Sequence, residues 1–298
     1  ITNNTINNGS YGIYINGTSE TVLEQNVVIS NNAIHDFHCY GIRLHYFDSI
    51  QVSSNEIYAK TTGGNSTQYG ICAYYNDNGS SFSKNKIRVY ASSSNYGMYF
   101  YYCDGSSGNE NLLINNFISC HSSSTNSYGV YTYYGSYFKF YHNSVNVTDG
   151  NSSNGRALYV YYSSYFELLN NIFANTKTSG GYAIYTQSSS SIANSDYNNL
   201  YSEGSYLGYW SGNRSNMAQW QSASSKDANS VSEDPVFVSD TDLHSGTYFC
   251  NGQAIPIAGI SEDIDGEIRH STNPDIGADE FYITPMSGDY TIGGTNPD

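Results

Sequence analysis

Apolar and polar positions alternate in short stretches that recur along the whole first part of the chain. Tyr11-Gly12-Ile13-Tyr14-Ile15, Tyr40-Gly41-Ile42-Arg43-Leu44, Tyr69-Gly70-Ile71-Cys72-Ala73, Tyr96-Gly97-Met98-Tyr99-Phe100 and Tyr128-Gly129-Val130-Tyr131-Thr132 are successive copies. Ala157-Leu158-Tyr159-Val160 and Ala183-Ile184-Tyr185 continue the series. The Gly or Ala positions are 29, 29, 27, 32, 28 and 26 residues apart. Side chains change face at every strand residue, so Ile13, Ile42, Ile71, Met98, Val130, Leu158 and Ile184 are predicted to form one inward row. One short strand per repeat cannot bury its apolar face alone and must stack on its neighbours.

Two further elements keep the same period. Asn4, Asn32, Asn55, Asn85, Asn116, Asn143, Asn171 and Asn199 each open an Asn-x-Ile triplet or a similar one. Asn tolerates a left-handed corner, and stacked amides can bond along an axis, so these residues are predicted to line one corner as a ladder. Upstream of each Asn runs another apolar stretch, such as Val27-Val28-Ile29, Ile50-Gln51-Val52, Leu112-Leu113-Ile114, Phe138-Lys139-Phe140 and Phe166-Glu167-Leu168. Three short strands per repeat predict an all-β solenoid of about seven to eight coils over residues 1–201. These repeats resemble the right-handed parallel β-helix family, a scaffold shared by pectate lyases and many bacterial surface proteins. That resemblance implies the fold and leaves the activity open.

The period breaks after residue 201. Tyr209-Trp210 and Met217-Ala218-Gln219-Trp220 predict a small helical or irregular segment. Asp234-Pro235-Val236-Phe237, Asp242-Leu243-His244, Asp263-Ile264-Asp265-Gly266-Glu267-Ile268-Arg269 and Asp275-Ile276-Gly277-Ala278-Asp279-Glu280-Phe281 follow in that order. Together they resemble the terminal segment of β-helix modules in large secreted surface proteins of bacteria, notably Bacteroidota. Gly252-Gln253-Ala254-Ile255-Pro256 stands where those modules usually carry Ser-Pro-Ala-Ile-Asp. Residues 202–282 are therefore expected to close the open end of the solenoid, which otherwise exposes unpaired strands. Residues 283–298 are expected to be a linker opening a following module, and residue 1 falls inside a repeat, as in a slice of a longer array.

Composition narrows the function classes. The 298 residues include 32 Tyr and only 12% charged residues, with a net charge of -15 and a pI of about 4.6. Such an acidic chain with 11 Lys plus Arg is not suited to nucleic acid or anionic membranes, and it repels polyanionic sugars. No apolar run approaches the ~20 residues of a membrane-spanning helix. Five cysteines (Cys39, Cys72, Cys103, Cys120 and Cys250) have no metal-ligand spacing and are expected to be buried free thiols, with Cys103–Cys120 the pairing open to loops that meet. Long polar insertions at residues 61–67, 122–127 and 149–154, and longer gaps near residues 18–26 and 104–111, mark candidate binding edges.

Candidate chemistry is sparse. Arg43 and His45 share an outward face two residues apart, with Asp36 and His38 in the loop before them; these four form the one acid–base candidate cluster. Asp48, Asp77 and Asp104 recur at a corner and read as turn residues. Asp263 and Asp265 open a short acidic turn without the distal Glu of a calcium loop, so calcium is the one cofactor to test there and none is required. Outward positions carry more tyrosine than any other residue. Tyr99, Tyr131, Tyr159 and Tyr185 share the first, and Tyr74, Tyr101, Tyr133 and Tyr161 the second, which predicts two adjacent ring ladders about 4.8 Å per rung. The expected function is a non-enzymatic structural or adhesive module of a large secreted or cell-surface bacterial protein. Its expected partners are neighbouring modules of the same chain, copies of itself or surface glycans. The alternatives are a glycan-binding β-helix using the tyrosine face and a polysaccharide lyase or glycoside hydrolase.

Overall fold

A computed structural model describes residues 1–61, 67–121, 126–148, 154–177, 180–188 and 190–282. The polar insertions at residues 62–66, 122–125 and 149–153 and the terminal stretch 283–298 lie outside the described residues. The chain is a parallel β-helix of about seven coils with, among the described residues, one short helix and an irregular carboxy-terminal segment. No helix among the described residues is long and apolar enough to cross a membrane.

Each coil contributes one strand to each of three sheets. The tyrosine sheet holds the Tyr-Gly strands, from Tyr11–Asn16 to Gly208–Trp210. A short sheet of seven strands follows it, and an eight-stranded sheet that begins just after each ladder Asn completes the coil. The predicted inward row exists: Ile13 pairs with Ile42, then Ile71, Met98, Val130, Leu158 and Ile184 in unbroken parallel register. All seven are buried. Ile34, Ile57, Ile87, Ile118, Val145, Phe173 and Leu200 face them from the eight-stranded sheet, and Phe82, Phe100, Phe138 and Phe166 fill the interior beside the short sheet.

The repeated glycine has a steric cause. A Cβ at Gly41, Gly70, Gly97 or Gly129 would lie 2.2–2.3 Å from a branched methyl of Ile57, Ile87, Ile118 or Val145, and 2.5–2.6 Å from the next coil's carbonyl oxygen. Alanine replaces glycine at 157 and 183, and there the aligned residues of the eight-stranded sheet are Phe173 and Leu200, whose Cβ atoms are unbranched.

The asparagine ladder runs as predicted for seven members and then departs by one residue. Nδ2 of Asn4, Asn32, Asn55, Asn85, Asn116, Asn143 and Asn171 each donates to Oδ1 of the next rung, at 2.8–3.1 Å, and the last acceptor is Asn198. Asn199 instead bonds Glu233 through its side chain and pairs with Ile172 in the strand register. The repeat unit is Asn-x-aliphatic, and in Asn198-Asn199-Leu200 the aliphatic is Leu200, which puts the corner at Asn198. Each interior Oδ1 accepts two bonds from the preceding rung, from its backbone N–H and its Nδ2, while the second Nδ2 proton goes to a carbonyl of the short sheet, as from Asn116 to Phe82 at 2.9 Å. Every polar atom of these buried amides is thereby satisfied, which is the condition for burying them.

Closure differs from expectation. The last coil extends to Trp210, and the helix Met217–Ser224 places fully buried Trp220 against Trp210 at 5.5 Å. Asn216 caps that helix by accepting from Gln219 N. The acidic motif segment does not sit on the open end. It returns along the outer face of the eight-stranded sheet: Ile264, Ala278 and Leu243 pack on Phe117, while Cys250, Ala254 and Ile276 pack on Ile172 and Ala174. Arg269, buried, ties it down by donating to Asn115 Oδ1 at 2.9 Å, Gly277 O at 3.0 Å and Glu280 at 3.2 Å. The later strands of that sheet are therefore covered on both faces, while outward residues of the first strands such as Asn7, Asp36 and Glu56 stay exposed, and Phe117-Ile118 and Ile172-Phe173-Ala174 lose the polar alternation of a one-sided strand.

All five cysteines are free, four of them buried, and no Cys103–Cys120 bridge forms. Burial pushes the Cys72, Cys120 and Cys250 thiols up to about 12.

Candidate functional site

The outer surface of the tyrosine sheet carries four rows of aromatic side chains running along the solenoid axis. Both predicted rows are present. Tyr99, Tyr131, Tyr159 and Tyr185 align in register and continue to Tyr209, with Tyr131–Tyr159 and Tyr185–Tyr209 stacked at 4.6 and 4.3 Å. Tyr74, Tyr101, Tyr133 and Tyr161 align beside them, with centroids 5.1, 5.4 and 5.3 Å apart. Two rows were not predicted. One precedes the glycines: Tyr11, Tyr40, Tyr69, Tyr96 and Tyr128 stack at 4.6–5.1 Å. The other occupies the corner: Tyr46, Tyr75, Tyr102, Tyr134 and Tyr162 stack at 4.9–5.6 Å. The signal for both is in the sequence, as the residue before each glycine and as the second member of each aromatic pair.

The corner row has an unusual backbone. Tyr46, Tyr75, Tyr102, Tyr134 and Tyr162 all have φ between 48° and 68°. This left-handed region costs a bulky L-residue about 1 kcal/mol, and glycine or asparagine would enter it more easily. The turn swings the chain around the corner, so both rings of each Tyr-Tyr pair stay outside while the next residue, Phe47, Asn76 or Cys103, goes in. At the corner before each ladder asparagine the left-handed residue is Asn31, Ser54, Lys84, Asn115, His142, Asn170 or Tyr197, and Tyr137 and Tyr165 of the short sheet also have positive φ; five successive left-handed tyrosines occur at the Tyr46–Tyr162 corner.

Two arginines take ring positions in the stacks. Arg43 aligns between Tyr14 and Cys72, with its guanidinium 4.7 Å from the Tyr40 ring. Arg156 aligns between Tyr128 and Tyr182 and lies 4.3 and 4.5 Å from the Tyr185 and Tyr159 rings. A planar cation replaces a ring at little cost because it can stack on its neighbours. Burial pushes the Tyr96 hydroxyl up to about 12, and the same cause, with neighbouring phenols, raises Tyr99 and Tyr131 further. Among the described residues the charged members of these rows are the two arginines, and the Glu20 carboxylate meets the Tyr75 hydroxyl at the corner.

The acid–base candidates fall into this setting. Arg43 Nε donates to His45 Nε2 at 3.0 Å, and burial together with Arg43 lowers His45 to about 4. His45 is thus neutral, with one lone pair occupied, and its ring lies 4.6 Å from Tyr74. Asp36 is exposed on a strand of a different sheet, at a bulge between His35 and Phe37, and His38 follows it into the corner. Arg43 and His45 act here as stacking partners. Asp77 Oδ1 accepts from Asp104 N at 2.8 Å, so the recurring corner aspartates do turn work.

A second polar cluster lies where the returning segment meets the eight-stranded sheet. His244 sits between Asp242 and Asp265, and Asp265 also pairs with Lys86 at 2.7 Å. His244, Asp265 and Asp279 bring ligand atoms within 4.8 Å of one another, as do Asp263, Glu267 and Asp279. Asp263 and Asp265 are already committed. Asp263 accepts backbone N–H groups of Asp265, Glu267 and Glu280 at 2.8–3.0 Å, and the Lys86 ammonium and His244 supply positive charge to Asp265. These residues fit a tight turn and a charge clamp better than a calcium site, which needs six or more free oxygens.

The chain matches no protein-family model and no curated protein.

Proposed function

We propose that this chain is a non-catalytic module of a large secreted or cell-surface bacterial protein, with a structural and adhesive role carried by its tyrosine face. The observation that supports this reading is the four-row aromatic wall, which extends over the coils and holds two charged groups. An adhesive wall needs large, wettable, rigid area at low entropy cost, and tyrosine supplies it. The solenoid supplies stiffness, since each coil is bonded to both neighbours along the axis. A second reading, glycan binding by the same face, is favoured by the phenol hydroxyls that accompany the ring edges along each row. Neighbouring modules of the same chain, other copies and surface glycans remain the proposed partners.

The test is direct. The purified chain is incubated with pectin, alginate and neutral glycans, with and without calcium, and then coated on beads presented to cells and to glycan-bearing surfaces. Retention of the beads without release of unsaturated or reducing sugar ends is the expected result. Turnover that disappears in Arg43→Ala or His45→Ala overturns it in favour of a lyase or hydrolase.

A further inference from the structure

We infer that the row Tyr74, Tyr101, Tyr133 and Tyr161 and the corner row Tyr75, Tyr102, Tyr134 and Tyr162 form a linear binding trough for one extended, neutral polysaccharide chain lying parallel to the solenoid axis. The inference rests on the glycan reading of the tyrosine face and names its ligand class, orientation and residues.

The geometry is a herringbone. From Tyr101 and Tyr102 onward the rings within each row are nearly parallel, Tyr101–Tyr133 at 12°, Tyr133–Tyr161 at 19°, Tyr102–Tyr134 at 13° and Tyr134–Tyr162 at 9°, while Tyr74 is tilted at 51° to Tyr101. Between the rows the rings are steeply crossed. Tyr101–Tyr102 meet at 71°, Tyr133–Tyr134 at 85° and Tyr161–Tyr162 at 62°, with centroids 4.3–4.7 Å apart. Centroids about 5 Å apart exceed the ~3.5–4.0 Å of direct atomic contact, so each ring is offset on its neighbour and leaves a strip of its face bare. Two such rows inclined to one another make a shallow channel with an aromatic strip and a hydroxyl on each rung. Its most open part is Tyr134 and Tyr162, which are 38% and 58% exposed.

Three observations select the occupant. The channel repeats once per rung, about 4.8 Å, which is close to the length of one sugar residue in an extended chain, so a repeating ligand meets the same contacts at each step. The row Tyr74, Tyr101, Tyr133 and Tyr161 and the corner row contain no charged residue, the carboxylate that reaches them, Glu20 at the Tyr75 hydroxyl, is acidic, and the molecule has a net charge of -15, which disfavours a polyanion and a second copy of this chain alike. The corner tyrosines hold a left-handed backbone that asparagine would adopt more easily, and strain repeated at five successive corners points to a use for the rings. The two long insertions support the same side. Residues 17–26 and 104–111 both leave the tyrosine sheet at this corner and close as small turns, Ser19 with Val22 and Ser106 with Asn109. In solenoids such insertions gather on the binding face.

Affinity gel electrophoresis tests the trough, with hydroxyethylcellulose and galactomannan as neutral probes and polygalacturonate as the anionic one. The variants are Tyr102→Asn/Tyr134→Asn/Tyr162→Asn, which keeps the left-handed corner, the single exchange Tyr162→Asn, and Tyr248→Asn as an exposed tyrosine elsewhere. The expected result is retardation of the unchanged chain by at least one neutral probe and none by polygalacturonate. The triple variant should bind at least tenfold more weakly, the single variant about threefold, and Tyr248→Asn as the unchanged chain does. Hexasaccharides should compete far better than disaccharides. Undiminished retardation of a folded triple variant, or of Tyr162→Asn if the triple does not fold, overturns the trough and leaves glycan binding to another part of the face. Retardation by the polyanion alone overturns the neutral ligand. Retardation by no probe removes both the trough and the glycan reading, and a dimer in sedimentation that the triple variant loses assigns the face to self-association instead.

Discussion

The indole Nε1 of Trp220 donates to Oδ2 of Asp227 at 2.7 Å, and this bond joins the closing helix to the end of the asparagine ladder. Asp227 is buried, and its other oxygen accepts from Asn198 Nδ2, Ser195 Oγ and Ser230 Oγ at 2.7–3.1 Å. A ladder of amides needs a terminal acceptor, or its last donors are buried without partners. Asp227→Ala should therefore cost about 2–4 kcal/mol. Trp220 fluorescence should shift to the red and the melting temperature should fall by several degrees, and an unchanged melting curve would show the cap to be held by apolar contact alone.

Interior rungs should matter more than the first. Asn116→Ala removes a bond to Asn143 and one to Phe82, and leaves the Asn85 donors unpaired in the interior. A loss of about 2–4 kcal/mol is expected. Asn4→Ala lies at an exposed rung and should cost below about 1 kcal/mol. Chemical denaturation of the two variants checks the order, and equal losses would contradict the ladder's burial as the cause.

Gly97→Ala should be strongly destabilising, because the new Cβ would fall 2.2 Å from Ile118 Cγ2 and 2.5 Å from Gly129 O. Overpacking of this kind costs about 1–3 kcal/mol or more. Adding Ile118→Leu removes the branched methyl and should recover part of the loss, as the Ala157 coil, aligned with Phe173, already suggests. No recovery in the double variant would place the cost in the backbone contact.

The row Tyr101, Tyr133 and Tyr161 separates support from recognition. Replacing all three by Ser leaves no internal cavity, because the rings are outside. If stacking is their main role, cross-strand contacts of about 0.2–1 kcal/mol each are lost and the melting temperature falls by several degrees while bead retention per folded molecule is unchanged. The proposed function expects the reverse: retention is lost and the melting temperature falls only slightly.

The His244 clamp has a predicted pH window. Hydrogen bonds to Asp265 and Asp242, with Asp279 nearby, raise His244 to about 9, and Lys86 and Phe117 complete its surroundings. A raised folded-state value means the stabilisation is full below the unfolded value of about 6.5 and is lost as pH rises through 9. His244 and Lys86 hold Asp265 down at about 2, so acid releases that carboxylate's contribution only as pH falls from about 4 through 2. Hydrogen-exchange protection of residues 240–281, corrected for the base-catalysed intrinsic rate, should fall between about pH 7 and 9.5, and His244→Ala should remove that fall; protection unchanged over this range in the unaltered chain would contradict the clamp.

The coil is written in the order of the residues. A period near 28 residues, one inward aliphatic per repeat and a corner Asn define strand, register and stacking, because in a solenoid each contact is with the next copy of the same motif. Ile13 through Ile184 and Asn4 through Asn171 were legible for that reason. The slip from Asn198 to Asn199 arose where two asparagines adjoin and the motif alone does not fix the phase; the bonds to Asp227 and Ser230, 29 and 32 residues further on, decide it. Two tyrosine rows were legible from strict alternation. The corner row was not, since a left-handed residue breaks alternation and only backbone geometry tells whether a ring turns in or out. The path of the acidic segment was decided by tertiary structure alone. Its motif residues bond mostly to one another and to Asn115, Ser144 and Asn170 of distant coils, so nothing local says which surface they cover. The faint signal was in the receiving strands, where Phe117 and Ile172 put apolar side chains on a face that an uncovered strand would make polar.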